Sequence, residues 1–151
     1  MNILGFEYPD THYFWLERDM WCLPQADGLI KVGVSQFGVH ISGDFYMCRP
    51  KKAGTHLLQG ETLGVVELSK SVVAIKTPVS GEVLEVNPLL EETPERVHQD
   101  CFGAGWLVLI APSRWAEDLT QLHHGPSLLE AAERRMRLEP MSFPSNTPPP
   151  A

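Results

Sequence analysis

Two β-branched apolar runs, Val65-Val66 and Val72-Val73-Ala74-Ile75, flank the polar interval Glu67 to Ser71. Runs this short and this rich in valine are strand material, and an interval of that length lets them lie antiparallel as a hairpin. Lys70 then falls at or beside the tip, where an ammonium group stays in water and escapes the cost of burial. Thr77-Pro78-Val79-Ser80-Gly81 ends the second strand and starts another. Gly64 and Gly81 stand where the backbone turns or approaches closely. A lysine in such a turn is ordinarily a solvated surface residue, so its neighbours decide whether it is more.

The rest of the chain reads as the surroundings of a β domain. Residues 1–12 show no period and are expected to form an irregular lead-in. Tyr13 to Glu17 and Met20 to Leu23 read as aromatic-rich strands on either side of Arg18-Asp19, and Gln25-Ala26-Asp27-Gly28 as a turn. Leu29 to Val34 alternates as a half-buried strand does. Ser35 is placed to cap a helix through about Ile41, with Phe37 and Ile41 on one face and Gly43 at its end. Asp44 to Arg49 reads as a strand stopped by Pro50. Gly81 to Asn87 echoes Gly28 to Val34, a turn glycine followed by alternating apolar positions, and the echo fits a flattened barrel of two small antiparallel sheets.

Leu89 to Asp100 reads as polar and partly helical, and Gly105 to Ile110 as a last strand buried on both faces. Ser113 is positioned to cap a helix presenting Trp115, Leu119 and Leu122. Ser127-Leu128-Leu129-Glu130 has the capping-box spacing ahead of a helix with Leu129, Ala132 and Met136 on its apolar face. The expected organisation is one domain, residues 1–137, mainly β with terminal helices. A disordered tail, 138–151, follows, with five prolines among its fourteen residues.

No catalytic set stands out in this chain. It has no Gly-x-Ser-x-Gly, no phosphate-cradling glycine loop and no His-Glu-x-x-His. His12, His40, His56 and His98 are scattered, and on a helix the adjacent His123 and His124 would diverge. Glu91-Glu92 and Glu117-Asp118 read as solvated faces. The net charge of −7 speaks against nucleic acid and anionic membranes as partners. No run approaches the ~18 apolar residues of a membrane span. The opening residues, Met1 to Glu7, lack the pattern of a signal peptide. Cys22, Cys48 and Cys101 include no Cys-x-x-Cys pair and suggest a reducing, cytoplasmic setting. Cys22 and Cys48 fall in strand-like segments as buried apolar residues, whereas Cys101 is expected in an exposed loop.

Glu67-Leu68-Ser69-Lys70, followed by Pro78-Val79-Ser80-Gly81-Glu82-Val83 and Val86-Asn87, resembles the lipoyl-lysine hairpin of the glycine-cleavage H-protein family. The resemblance runs from about Tyr8 to about Ala131. It implies a flattened hybrid β-barrel or sandwich of the biotinyl/lipoyl-carrier type and a non-catalytic carrier protein. It also implies lipoate in amide linkage to Lys70, with Glu67, Ser69 and Ser71 shaping the turn and the surface that partners read. A lipoate ligase or lipoyltransferase would be the modifying partner. Biotin is disfavoured, because biotinyl lysines usually sit in Met-Lys-Met and here the neighbours are Ser69 and Ser71.

The chain also departs from that family's pattern. H proteins typically read His-Glu-Trp near the N-terminus and have an aspartate four residues after the lipoyl lysine. Here the corresponding segment is His12-Tyr13-Phe14-Trp15, and Ala74 follows Lys70 by four. Pro50-Lys51-Lys52-Ala53-Gly54, with Pro112-Ser113-Arg114-Trp115, Asp118, Leu122 and Gly125, is similar to lipoate-binding proteins of the heterodisulfide-reductase-like sulfur-oxidation system. That similarity implies a sulfur relay toward sulfite, with the heterodisulfide-reductase-like complex and sulfur-transfer proteins as partners. The alternative is glycine cleavage, with glycine decarboxylase, aminomethyltransferase and dihydrolipoyl dehydrogenase as partners and an aminomethyl group as cargo. A further alternative is an unmodified interaction module on the same fold.

Overall fold

A computed structural model describes residues 1–139. In chain order it contains β1 (Asn2–Ile3), β2 (Phe6–Glu7), β3 (Tyr13–Trp15), β4 (Met20–Pro24), β5 (Ile30–Val34) and helix α1 (Gln36–Ser42). Then come β6 (Met47–Pro50), β7 (His56–Leu57), β8 (Thr62–Glu67), β9 (Val72–Lys76) and β10 (Gly81–Val86). A helical turn at Pro88–Leu90 leads to α2 (Arg96–Gln99), β11 (Val108–Pro112), α3 (Trp115–Asp118) and α4 (Ser127–Arg137). Among the described residues no helix is long and apolar enough to cross a membrane.

The strands form a large antiparallel sheet in the order β3-β4-β5-β11-β10-β7 and a small one in the order β6-β8-β9. The two sheets share one core, in which Met20, Cys22, Val32 and Ile110 of the large sheet join Cys48, Leu63 and Val66 of the small one. Both sheets keep open edges, so the architecture is a flattened sandwich of the expected type rather than a closed barrel. The two echoing segments, β5 and β10, lie on either side of β11 in the large sheet rather than one in each sheet.

Alternation explains why the large sheet is covered twice. Along β3 and β4, Tyr13, Met20 and Cys22 belong to the shared core, while Phe14 and Trp21 point the other way. That second face is sealed by Ile3, Phe6, Tyr8, Phe37, Leu128, Ala132 and Met136. The supposed lead-in is therefore a small β1–β2 hairpin, turned through Leu4 and Gly5 at positive φ. Strands of two residues are too short to announce themselves by alternation.

The expected serine cap forms at α1 but not at α3 or α4. Ser35 Oγ accepts the Gly38 N–H, and Gly43 ends α1 at positive φ. Ser113 caps nothing: Arg114 holds the cap position of α3, and the Ser113 N–H is drawn instead to the Ser80 carbonyl. Ser127 is already inside α4, whose cap is Pro126, so no capping box forms. The buried stripe of α4 is accordingly Leu128, Ala132 and Met136, and Leu129 is exposed. The strand expected from Asp44 starts only at Met47. The last strand runs Val108–Pro112 and is less deeply buried than its composition implied, with Leu109 half-buried. Leu138 and Glu139 close α4 through bonds to Arg135 and Met136. The remainder of the segment 138–151, expected as a disordered tail, lies outside the described residues.

Helix α4 is fastened by one ion pair. Arg135 donates to Asp19 Oδ2 at 2.6 Å and to the Leu16 carbonyl at 3.0 Å, and both charged side chains are largely buried. Burial pushes the Asp19 carboxyl above its ordinary range, and the guanidinium opposes that rise. Removing the cation leaves an unpaired buried carboxylate, a change worth about 3 kcal/mol. Arg135→Ala is therefore expected to lower the urea midpoint at pH 7. In the variant the folded Asp19 carboxyl titrates still higher than the unfolded one, so ionised Asp19 destabilises increasingly as pH rises. The deficit should shrink as pH falls and the carboxyl takes up its proton. Urea titrations of both proteins at neutral and acidic pH check the sign.

Candidate functional site

β8 and β9 pair in register from Glu67–Val72 down to Thr62–Lys76, with a shift between Thr62 and Gly64. The Leu68 N–H donates to the Ser71 carbonyl at 2.8 Å, which leaves Ser69 and Lys70 as the tip of the turn. Leu68 packs against the core, so the tip is anchored directly beneath the lysine. Glu67, Ser69, Lys70 and Ser71 are all exposed. Among the described residues Lys70 has no carboxylate within ion-pair distance. Its ammonium is thus presented to solvent on a short turn anchored through Leu68.

The base of the hairpin is held more firmly than the sequence suggested. Thr77 is buried, and its Oγ1 donates to the Val79 carbonyl at 2.7 Å. Its N–H donates to the Glu61 carbonyl, and its own carbonyl accepts from Gly60. Asp118 then reaches in from α3 to accept from the Ser80 N–H at 2.6 Å and the Ser80 hydroxyl at 3.1 Å. Gln59 completes the clamp, donating its N–H to Ser80 Oγ and its side-chain amide to the carbonyls of Pro78 and Asp118. Asp118 was expected on a solvated face and is only 4% exposed. Its partner lies 38 residues away, so no local pattern could reveal it. Glu91, Glu92 and Glu117 are exposed, as expected.

The two glycines flanking the hairpin are required by close approach. A Cβ at Gly64 would sit 2.5 Å from the Arg49 carbonyl oxygen and 2.6 Å from Pro50 Cα. Gly81 has φ +154°, and a Cβ there would run into the Ala111 carbonyl of β11. Gly64 therefore lets β6 close on β8, and Gly81 lets the chain enter β10 directly after the clamp.

Beside the outer strand of the hairpin lies a cavity of about 250 Å³ between α1, the β3–β4 turn and β9. Glu17 and Asp19 border it from the turn, and Val73, Ala74 and Ile75 from β9. Asp19 is already engaged by Arg135. Ala74, the fourth residue after Lys70, is exposed and pairs with Val65.

The other chemistry-bearing side chains are dispersed. His12 is buried edge-on to Trp21 and Phe102, and burial pushes it down to about 4, so it is neutral at pH 7. His98 Nδ1 accepts the Phe45 N–H, and His124 stacks on Tyr13 with ring centroids 4.2 Å apart. His123 and His124 lie outside any helix; the backbone of His123 bridges to Phe14. Among the described residues no group of three His, Cys, Asp or Glu side chains converges on a metal position. All three cysteines are buried. Cys101, expected to be exposed, lies in the loop after α2, where its carbonyl accepts from the Trp21 indole at 3.1 Å. Burial pushes Cys48 up to about 12 and Cys101 up to about 11, and Cys22 is raised as well.

A family model described as glycine cleavage H-protein matches residues 12–134. The glycine cleavage system H protein of Prochlorococcus marinus (strain MIT 9515) is 37% identical over 108 residues, 72% of this chain and 78% of the relative. That of Thermus thermophilus is 35% identical, covering 80% of this chain and 92% of the relative. The probable glycine cleavage system H protein 2 of Sulfurisphaera tokodaii is 32% identical, covering 82% and 84%. The crystal structure of a glycine cleavage system H protein from Mycobacterium marinum is similar with a TM-score of 0.64 at 30% identity, covering 70% of this chain and 87% of that one.

Because all three thiols are buried and carry raised pKa values, almost none is thiolate at pH 8. A soluble disulfide reagent should therefore label native protein slowly and all three cysteines promptly in urea. Fast labelling of Cys101 in native protein would contradict its buried position.

Proposed function

We propose, from the premise that this chain belongs to the glycine cleavage H-protein family, that Lys70 is its lipoyl-attachment lysine. Members of that family are non-catalytic carriers holding lipoate covalently on a lysine. The observation that carries the proposal is the exposed, ion-pair-free Lys70 at the tip of a turn whose Leu68 packs against the core. Such an amine fits an acyl substituent: a ligase can reach it, and loss of its charge breaks no internal contact. Bound lipoate would supply a dithiolane able to open to a dithiol and carry a group on sulfur. The chain's own residues do the rest. Glu67, Ser69 and Ser71 frame the lysine as the surface that the ligase reads, Leu68 fixes the height of the tip, and the Asp118–Ser80–Gln59 clamp fixes its base. Holding cargo on one tethered point makes delivery to a docked partner effectively intramolecular. The match over residues 12–134 supports reading 1–137 as the carrier domain.

The relatives described above are glycine cleavage proteins by name, which favours the glycine alternative over the sulfur relay that the sequence first suggested. The partners are then glycine decarboxylase, aminomethyltransferase and dihydrolipoyl dehydrogenase, with a lipoate ligase or lipoyltransferase to load the arm. The sulfur relay stays as a second reading on one observation: Ala74 puts a methyl group where H proteins typically have an aspartate.

Protein from its native host should show a lipoyl mass increment on the peptide containing Lys70, absent from Lys70→Arg, with both proteins unfolding at the same urea concentration. An unmodified Lys70 beside a working ligase would overturn the attachment site. Glycine–bicarbonate exchange by cognate glycine decarboxylase should depend on the lipoylated chain. No exchange, together with loss of sulfite production on gene deletion, would decide for the sulfur relay.

A further inference from the structure

The outer face of the small sheet gathers cations at the end away from the turn, whereas Glu67 lies on the same face beside the tip, opposite Val72. Cys48, Val66 and Val73 form a cross-strand row whose first two members are buried. The next row, Arg49, Val65 and Ala74, therefore points away from the core. All three of its residues are exposed, as is Val72 further along β9. Below this row lies a groove of about 640 Å³ lined by Arg49, Lys51, Lys52, Thr62, Gly64 and Val65, with no carboxylate among its walls. Lys76 adds a fourth cation, its Nζ donating to Thr62 Oγ1 at 3.1 Å. Among the described residues none of these four forms an ion pair, in a chain of net charge −7.

Four cations gathered without an ion pair repel one another, and only Lys76 has an internal bond, to Thr62. A complementary acidic surface would relieve that repulsion. The exposed valines between the groove and the hairpin tip give the face an apolar centre with a cationic margin, the usual make-up of a protein-docking patch. Its position is informative as well. Lys76 follows Lys70 by six residues, at the far end of β9 and roughly 20 Å from the tip, so the rim of a cleft that receives the tip can reach this face. Nucleic acid is a poorer fit, since it is held by basic domains and this one is acidic.

We propose that this groove docks the acidic rim surrounding the arm-accepting opening of a partner enzyme, placing the Lys70 tip over that opening. The inference rests on the carrier reading and adds the surface and the charge of the partner that recognises it. Steering of this kind raises the rate of encounter and fixes orientation without touching the chemistry.

The test uses full-length, lipoylated protein with cognate glycine decarboxylase as the probe and carrier as the varied substrate. The variant is Arg49→Glu/Lys51→Glu/Lys52→Glu, checked by intact mass for lipoylation and by circular dichroism for folding. Arg49→Gln/Lys51→Gln/Lys52→Gln serves as a milder second variant. The reversal should raise KM for the carrier about tenfold with kcat nearly unchanged, and the Gln variant should fall between. Added salt should raise KM for the wild-type carrier and lower it for the reversed one. Unchanged KM and salt response in a lipoylated, folded variant would overturn the docking surface and leave the carrier reading intact. Unchanged KM with loss of binding to duplex DNA would reassign the groove to nucleic acid and overturn it equally. Lack of lipoylation on the wild-type chain would overturn both readings. A lipoylated wild-type chain that drives no exchange would remove the glycine partnership and this docking with it.

Discussion

Everything that makes Lys70 usable depends on the packing of the small sheet against the large one. A three-stranded sheet open to water on one face has little stability of its own. Here Cys48, Leu63 and Val66 descend from it into the same core as Val32, Val83 and Ile110. Full burial of each such side chain is worth about 1.5–3 kcal/mol, so a few residues decide whether the hairpin is a rigid post or a loose flap. Leu68 extends that core to within two residues of the lysine. The site is therefore exposed from Ser69 onward and steadied by the half-buried Leu68.

Rigidity at the tip is matched by polar closure at the base. Thr77, Ser80 and Asp118 are buried polar groups, and each finds partners on the neighbouring backbone. Leaving such groups unpaired would cost more than the bonds return when made. The clamp consequently behaves as one unit, and it couples the C-terminal α3 to the foot of the hairpin. The carrier face and the helical closure of the domain are mechanically continuous through Gln59 and Asp118.

The sequence made the strands and the lysine legible because both depend on local signals. Alternation located β5 and β10, β-branched runs located β8 and β9, and Ser35 marked α1 through a bond to a residue three positions on. What stayed hidden involved partners far along the chain. Asp118 looks solvated in sequence because Ser80 lies 38 residues away, and Ser113 looks like a cap although α3 begins one residue later, with Arg114 at the cap position. Cys101 looked exposed because nothing nearby announces that its carbonyl receives the Trp21 indole, 80 residues back. In α4 the capping-box pattern suggested a start one residue too late for the true buried stripe, which follows Leu128 rather than Leu129. The cationic groove escaped notice for the same reason: Arg49, Lys51 and Lys52 are close in sequence, but Thr62 and Lys76 join them only through the register of the sheet.

The pair formed by Asp19 and Arg135 joins residues 116 positions apart, whereas the hairpin bearing Lys70 closes within a span of fifteen residues. A chain made from its N-terminus can pair β8 with β9 soon after both have left the ribosome, since short loops close quickly. The underside of the large sheet, with Phe14, Trp21 and Phe37, must wait for Leu128, Ala132 and Met136 to arrive. The turn bearing Lys70 is thus built early, and the step that commits the domain to its final shape comes last. During synthesis, the part of the molecule in need of protection from aggregation is the aromatic underside, packed in a separate cluster from the core beneath Lys70.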